Sequence, residues 1–462
     1  MRSAKSMLLV RKEIRRYFNY SGLFVLLGFV AVRVNAQDNS PYSRYGLGNL
    51  APSTNISNRG MGSISAGMSD PLTINFNNPA SYSGFQTFIE QRSKKVSQAR
   101  VVLDVGINFD NRSLVVPNTS LRYGSSDALF SYVQVGIPIR KNWGLSFGLR
   151  PVSRISYSIL RSEHLTDPIS GNSIDSAQTQ FTGSGGVYLP TIGTGFAIGN
   201  LSLGVNFGYM FGKRETTTDR AIMDTVLYHS ADYNTITSFG HIYVDAGLQY
   251  KINLDKHTIL RLGLSGNLQQ KLNASQDVLR QTYVRGTAGE VVQLDSVYQQ
   301  TGIEGKITYP ASYKGGFIVQ NIKDNGSGWL FGVDYTQTKW NNYRFYDLKD
   351  SVKDNWQLNV GGQFFPKPGT NFFSRVVYRF GFYTGPDYIS LNNSTLPQFG
   401  VSAGLGLPIA SHNRLTNQFT VLNIALEYAK RGNNSNLIKE NMFRLSVGFN
   451  FTDFWFGKRK YD

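Results

Sequence analysis

Apolar and polar residues alternate with a period of two along most of this chain. From 101 to 109 one face reads Val101, Leu103, Val105, Ile107 and Phe109, and the other Val102, Asp104, Gly106 and Asn108. Between 201 and 211, Leu201, Leu203, Val205, Phe207, Tyr209 and Phe211 alternate with Ser202, Gly204, Asn206 and Gly208. From 241 to 251, Ile242, Val244, Ala246, Leu248 and Tyr250 oppose His241, Tyr243, Asp245, Gly247, Gln249 and Lys251. Successive side chains of a strand point to opposite faces, so each segment is a strand with one greasy face and one face of polar residues and glycine. A membrane barrel with a wet interior needs that division, its greasy face meeting lipid. A soluble sandwich would turn the greasy faces inward instead; strand length, aromatic strand ends and the leader described below argue against it.

The pattern predicts an all-β transmembrane antiparallel barrel of about fourteen strands, near 99–110, 127–138, 143–160, 182–198, 201–217, 235–252, 257–271, 308–320, 328–340, 353–365, 373–384, 398–409, 417–430 and 441–452. An even number returns the chain to the side where the first strand begins. Connections after even strands are short, as at Gly199-Asn200, whereas those after odd strands are mostly longer and polar, as at 161–181 and 272–307. Outer-membrane barrels alternate short periplasmic turns with long external loops in this way. The 272–307 segment has room for a small hairpin outside the membrane. The last strand sets Phe443, Leu445, Val447, Phe449 and Phe451 against Arg444, Ser446, Gly448 and Asn450. It resembles the terminal signal read by barrel-assembly machinery, and pairing it with the first strand leaves no sheet edge.

The stretch Pro41 to Gly84 fits neither a long helix nor a strand. It is rich in Gly, Ser, Asn and Pro, yet Tyr42, Tyr45, Met61, Ile64, Leu72, Ile74, Phe76 and Tyr82 give it side chains to bury. It reads as a plug inside the barrel. Residues 1–36 start basic, run apolar from Gly22 to Val32 and end Val34-Asn35-Ala36, the form of a secretory signal peptide whose apolar run is too short to span a bilayer. The expected divisions are thus a signal peptide (1–36), a hatch or plug (37–98), a barrel (99–452) and a periplasmic basic tail (453–462), with the mature protein in the bacterial outer membrane.

Composition changes little. Cysteine is absent, which excludes disulfides, thiolate metal sites and a lipid anchor on cysteine. The formal charge is +17, but basic residues are scattered except at Lys458 to Lys460, so no nucleic-acid surface is expected. Outer-membrane lipid and lipopolysaccharide are the expected neighbours of such a surface. Catalysis is not expected: of the five histidines only His241 sits clearly within a strand, on its inward face among polar neighbours, and no Gly-x-Ser-x-Gly turn lies at a strand-to-helix junction. Neither a metal nor a cofactor is expected, because His and carboxylates do not cluster at ligand spacing and the glycines do not precede Lys-Ser or Lys-Thr.

The lumen is where candidate contacts lie. Asp104, Arg150, Asp245, Lys251, Arg261, Arg379, Glu427 and Arg444 fall on inward faces, where opposite charges can pair or meet the hatch or a ligand carboxylate. Asp104, Arg150, Asp245 and Arg261 are the candidate network, and Arg44 and Arg59 of the hatch are expected to bridge to wall carboxylates such as Asp104. Asn77, Asn78 and Pro79 form a turn in which the proline fixes the backbone and the asparagines satisfy turn groups, or contact ligand. Pro151, inside the third strand, removes one ladder donor and favours a bulge or gap.

The run Arg59-Gly60-Met61-Gly62-Ser63-Ile64-Ser65-Ala66-Gly67-Met68, followed by Asn77-Asn78-Pro79-Ala80-Ser81, resembles the plug of FadL-type outer-membrane transporters of hydrophobic compounds. Tyr309-Pro310-Ala311-Ser312-Tyr313 resembles a strand entry of that family. Ser63 and Ser65 stand where it has small apolar residues. The opening Pro41-Tyr42-Ser43-Arg44-Tyr45-Gly46-Leu47-Gly48 and the closing Trp455-Phe456 with Lys458-Arg459-Lys460-Tyr461 look like a Bacteroidetes branch, some of whose barrels serve type IX secretion. The resemblance implies a fourteen-stranded barrel, a hatch carrying Arg44, Arg59, Gly60, Asn77, Asn78 and Pro79, and a lateral opening at Pro151. Two functions follow as expectations: passive uptake of long-chain fatty acids or another hydrophobic small-molecule ligand through an apolar pocket above the hatch, or a non-transporting accessory barrel that binds a secretion-complex or surface protein. The segment 341–347 suits either function, as part of such a pocket or as an exposed apolar loop tip.

Overall fold

The computed structural model describes residues 40–89, 96–166, 169, 171, 173–223, 229–285, 291–391, 394–409 and 419–455. The leader 1–36, the segment 90–95 and the tail beyond Trp455 lie outside the described residues.

Fourteen antiparallel strands close on themselves. They are β1 (Val96–Val115), β2 (Arg122–Arg140), β3 (Trp143–Thr166), β4 (Ser173–Ile198), β5 (Leu201–Met223) and β6 (Ser230–Asn253). Next come β7 in two pieces (Thr258–Asn267, Gln270–Arg285), β8 in two pieces (Val291–Tyr309, Ser312–Ile322), β9 (Gly328–Thr338) and β10 (Asn355–Phe365). The last are β11 (Val377–Leu391), β12 (Ser394–Ile409), β13 (Phe419–Arg431) and β14 (Lys439–Trp455). Each predicted span falls on one of these strands. β14 pairs with β1 from Lys439↔Val115 to Trp455↔Ala99, so the sheet is closed. The alternation acts as expected: Phe207, Ile242, Leu264, Phe380 and Phe443 are exposed to the surroundings, while Asp104, Asn206, Asp334 and Asn450 are buried on the inner face.

The loops depart from expectation. The segment 161–181 is mostly strand, with β3 running to Thr166 and β4 starting at Ser173, and the hairpin expected in 272–307 is present but continuous with the wall, the β7–β8 ladder continuing to Arg285↔Val291. Polar strands were mistaken for loops because neither of their faces is greasy once the strand leaves lipid. The β3–β8 wall therefore stands much taller than the β9–β14 wall. Connection lengths are not strictly alternating either: the β10–β11 turn spans 366–376, whereas β11 and β12 are joined through residues 392–393 alone. Pro310 does not open a strand but interrupts β8, where it lacks the N–H a ladder needs.

Residues 40–89 lie inside. They form a strap holding a 3-10 turn (Pro41–Arg44) and a two-residue strand (Asn49–Leu50), a single helical turn (Ile56–Arg59), a second 3-10 turn (Pro79–Gly84) and a short strand (Thr87–Ile89) that pairs with β1. The helical turn begins where the Asn55 side chain accepts from the Asn58 N–H at 2.8 Å. Asn78 opens the second 3-10 turn, accepting from the Ala80 N–H at 3.2 Å. Met61, Ile64, Ile74, Phe76 and Tyr82 are buried as predicted.

Candidate functional site: the hatch seat, the lumen cavity and the β2–β3 seam

The hatch rests on backbone. A side chain on Gly361 of β10 would put its Cβ 2.0 Å from the Met61 carbonyl oxygen, and one on Gly381 of β11 would put it 1.9 Å from the Gly62 nitrogen. Gly263 of β7 stands in the same relation to Ala66, Gly204 of β5 to Pro79 and Ala80 and Gly144 of β3 to Tyr82, while Gly106 of β1 leaves room for the Ile56 side chain. These glycines make a belt around the inner wall, and no larger residue would leave room for the plug. Gly60 itself lies against Gly404 of β12.

Polar groups fix the hatch between these contacts. Asp334 of β9 accepts from the Ser65 and Ala66 N–H groups at 2.6 and 2.8 Å. Asn359 of β10 donates to the Gly62 carbonyl at 2.6 Å, and Gln249 of β6 donates to the Ala66 carbonyl at 2.9 Å. Asn78 donates to the Ala66 carbonyl at 2.7 Å and reaches the carbonyls of Leu248 and Leu264, so its role includes joining hatch to wall. Asn77 reaches Ser53 at 3.3 Å and lines the cavity described below, and Pro79 packs on Gly195 and Gly204.

Arg59 is fully buried but does not bridge to Asp104. It donates to Asn108, Ser446, Ser131 and the Thr54 carbonyl. Burial lowers its guanidinium to about 10, with Arg444 adding to the shift, so it stays charged at neutral pH. Asp104 instead accepts from the Tyr132 hydroxyl at 2.8 Å, and that hydroxyl accepts from the Ile56 N–H at 3.0 Å. Arg44 also lacks a carboxylate partner and lies over the Phe181 ring. The expected bridges fail because the wall carboxylates at the hatch level have other partners, Asp104 the Tyr132 hydroxyl and Asp334 the Ser65 and Ala66 N–H groups, while further carboxylates lie nearer the loop end. There Arg444 is held by Asp110 at 2.6 Å and Arg431 by Asp387 at 2.9 Å.

The four wall charges do not form one network. Arg261 donates to the Ser69 carbonyl at 3.3 Å on the turn side of the hatch. Arg150 and Asp245 face a cavity of about 240 Å³ on the loop side, with Lys314, Asn77, Asn267 and Gln357. Arg150 stands 5.6 Å from the Phe76 ring centroid and has no ion pair among the described residues; Asp245 accepts from Asn206 at 2.9 Å. Among the described residues this cavity has a mixed lining, Leu50, Phe76 and Val152 beside the charges, and a purely apolar pocket above the hatch is not found. Its place is taken by a packed cluster of Tyr42 and Leu47 from the strap, Trp340 and Tyr343 from the β9–β10 loop, and Leu189, Met210 and Tyr388 from the wall. The 341–347 segment is thus not an exposed tip: Tyr343 is fully buried and donates to the Gly46 carbonyl.

Pro151 marks a seam. The β2–β3 ladder runs from Arg140↔Trp143 only as far as Val133↔Leu149, and β3 bulges at Val152 against β4. Beyond it, the edge of β3 pairs with the strap instead of β2. Asn49 and Leu50 oppose Arg154 and Ser153, the Ala51 N–H donates to the Val152 carbonyl, and the Ser40 N–H donates to the Ser156 carbonyl. Arg154 reaches across to Asp127.

Sequence reading missed Asp334, Lys314, Asn359 and the glycine belt. The signal was present as an acid or amide at an inward position of otherwise apolar strands, and as glycine recurring on one face.

A closed fourteen-stranded transmembrane barrel, seated on an inner glycine belt around its own N-terminal segment, is the class that this geometry defines. The BamG family model matches residues 16–462, and the chain belongs to the BamG family. No curated protein matches it by sequence. Among solved structures it is similar to the CymD monoaromatic hydrocarbon channel at 13% identity, TM-score 0.48, over 88% of this chain and 98% of that one. It is similar to a Pseudomonas aeruginosa FadL homologue at 13% identity, TM-score 0.47, over 88% and 98% of the two chains. The Pseudomonas putida toluene transporter TodX gives 12% identity and TM-score 0.47 over 88% and 99%.

Proposed function

We propose that this protein is a bacterial outer-membrane barrel that stays closed to cargo and acts as an accessory component by binding a protein partner. The observation that carries this reading is the occupied lumen: the chain's own Tyr42, Leu47, Trp340 and Tyr343 fill the space where an apolar cargo would collect. The neighbouring cavities have mixed linings in which amides, hydroxyls and charges stand beside Leu50, Phe76, Val152 and Trp340. A hatch seated backbone to backbone cannot slide without breaking many contacts at once. The family name, BamG, points to association with barrel assembly.

A second reading has one observation in its favour. The β2–β3 seam, covered from inside by Leu50 and Ala51 of the strap, borders the cavity that holds Arg150 and Lys314, which would suit an amphiphile with an anionic head. In that reading a fatty acid leaves laterally at Pro151.

Purification from native outer membranes in mild detergent, followed by lipid mass spectrometry and in-cell cross-linking, separates the two. The accessory reading expects cross-links to components of barrel assembly or secretion and no stoichiometric acyl ligand. One acyl chain per barrel, with fatty-acid uptake lost in Pro151→Val and no cross-linked protein, would overturn it.

A further inference from the structure

The tall β3–β8 wall is polarised by charge. On its inner face, Arg214 of β5 stands opposite Thr237 of β6, which stands opposite Gln276 of β7; Thr216 is likewise opposite Thr235. Arg161, Arg220 and Arg280 share that face with two acids: Asp295, opposite Thr282, and Glu163, which accepts from Arg161 and Arg220 at 2.8 and 3.1 Å. The outer face of the same wall carries Glu215, Asp219, Asp232, Asp277 and Glu304 with Arg154, Lys213 and Lys306 among the described residues, so acids outnumber cations there. Strands whose two faces differ in sign are organised for something on the basic side.

Three arginines on the inner side have no carboxylate partner among the described residues, and each is held against a ring. Arg44 of the strap is 5.1 Å from the Phe181 centroid, and Arg214 is 5.0 Å from that of Phe345. Arg280 lies 5.5 and 5.7 Å from those of Tyr233 and Tyr298. Stacking holds a guanidinium by its face and leaves N–H groups at its edge for an anion. Arg214 uses one of these on the Arg44 carbonyl at 3.0 Å, which ties two of the three together. Beside them is a cavity of about 230 Å³ lined by Arg214, Thr216, Thr235, Thr237 and Gln276 over Phe345 and Lys349, with one acid, Asp350, whose carboxylate accepts from the Gly46 N–H at 2.7 Å.

We propose that this inner face binds the phosphorylated core saccharide of lipopolysaccharide. The hydroxyl and amide groups suit a polyol, the forked cations suit phosphate, and the cavity suits a sugar-sized group. The face stands above the membrane on the side where that saccharide layer lies. Strand addition is not available there, because the β5 and β6 backbones are already paired on both edges. The inference rests on the outer-membrane placement proposed above and is independent of the protein-partner reading.

Deacylated lipopolysaccharide core oligosaccharide, native or enzymatically dephosphorylated, is titrated into the purified folded barrel by calorimetry at low and high salt. Native oligosaccharide is expected to bind, more weakly at high salt, and the dephosphorylated form at least about tenfold more weakly. Arg214→Ala and Arg280→Ala should each weaken binding about tenfold, while Lys213→Ala on the outer face leaves it unchanged. Heat-modifiable gel mobility checks that every variant is folded. No binding by the wild type, equal binding of the two oligosaccharides, or an equal loss in Lys213→Ala would overturn the proposal. So would a photo-cross-linker at Thr235 that captures a protein segment in cells and no saccharide.

Discussion

Arg59 is a buried cation with neutral partners. Its neighbours are two hydroxyls, an amide and a carbonyl, supplied by the hatch, β1, β2 and β14, so one side chain joins the plug to the closing strands of the barrel. Arg59→Met keeps the length of the side chain but leaves Asn108 and Ser131 facing an apolar group; it should cost about 3 kcal/mol. The check is limited trypsin digestion with thermal melting: faster cleavage at hatch residues and a lowered melting temperature are expected, with β-sheet content intact. The aromatic side of the same region is organised by Trp340, whose ring stacks on Tyr388 at 4.1 Å and seals the lumen beside the strap.

At the scale of elements, the belt of glycines sets where the hatch sits. Gly381→Ala would push a methyl group into the Gly62 backbone, an overpacking cost of about 1–3 kcal/mol. Gly124→Ala, in open space on β2, should change stability by less than about 0.5 kcal/mol. A cysteine introduced at Met61 reports the difference, reacting with a water-soluble maleimide faster in the Gly381→Ala background and not in the Gly124→Ala background. The strands themselves were legible in the sequence because lipid demands a greasy outer face, and every predicted span holds a strand. What sequence left hidden has physical reasons. The upper halves of β4 to β8 are polar on both faces, so no period marks them. Gly361 and Gly381 read as ordinary lumen positions because nothing local says that a second backbone lies against them. Trp340 reads as the end of a strand and Tyr343 as either tip or pocket lining, because burial inside a loop-filled mouth is a tertiary fact. Arg59 was found, but its partners were not, since they come from strands far apart in sequence.

For the whole molecule, closure of the barrel and closure of the lumen are separate achievements. The sheet is sealed by β14 on β1, while the β2–β3 seam is covered from inside by the strap. Wild-type protein in a planar bilayer should therefore show no stepwise conductance. A variant lacking residues 40–52 should conduct, because it loses both the seam cover and the Tyr42 and Leu47 contribution to the seal. Conductance by the wild type, or silence of the folded deletion variant, would place the seal elsewhere.

The strap also imposes an order on how this object is made. Residue 40 lies near the loop end beside Glu440, whereas β1 starts at the opposite end, so the plug spans the inside before the first wall strand begins. A finished ring whose inner surface is moulded to a backbone leaves no path for that backbone to enter afterwards. The interior must therefore be laid down while the ring is still open, and the joining of β14 to β1 comes last, like the final stave set around a cask already filled.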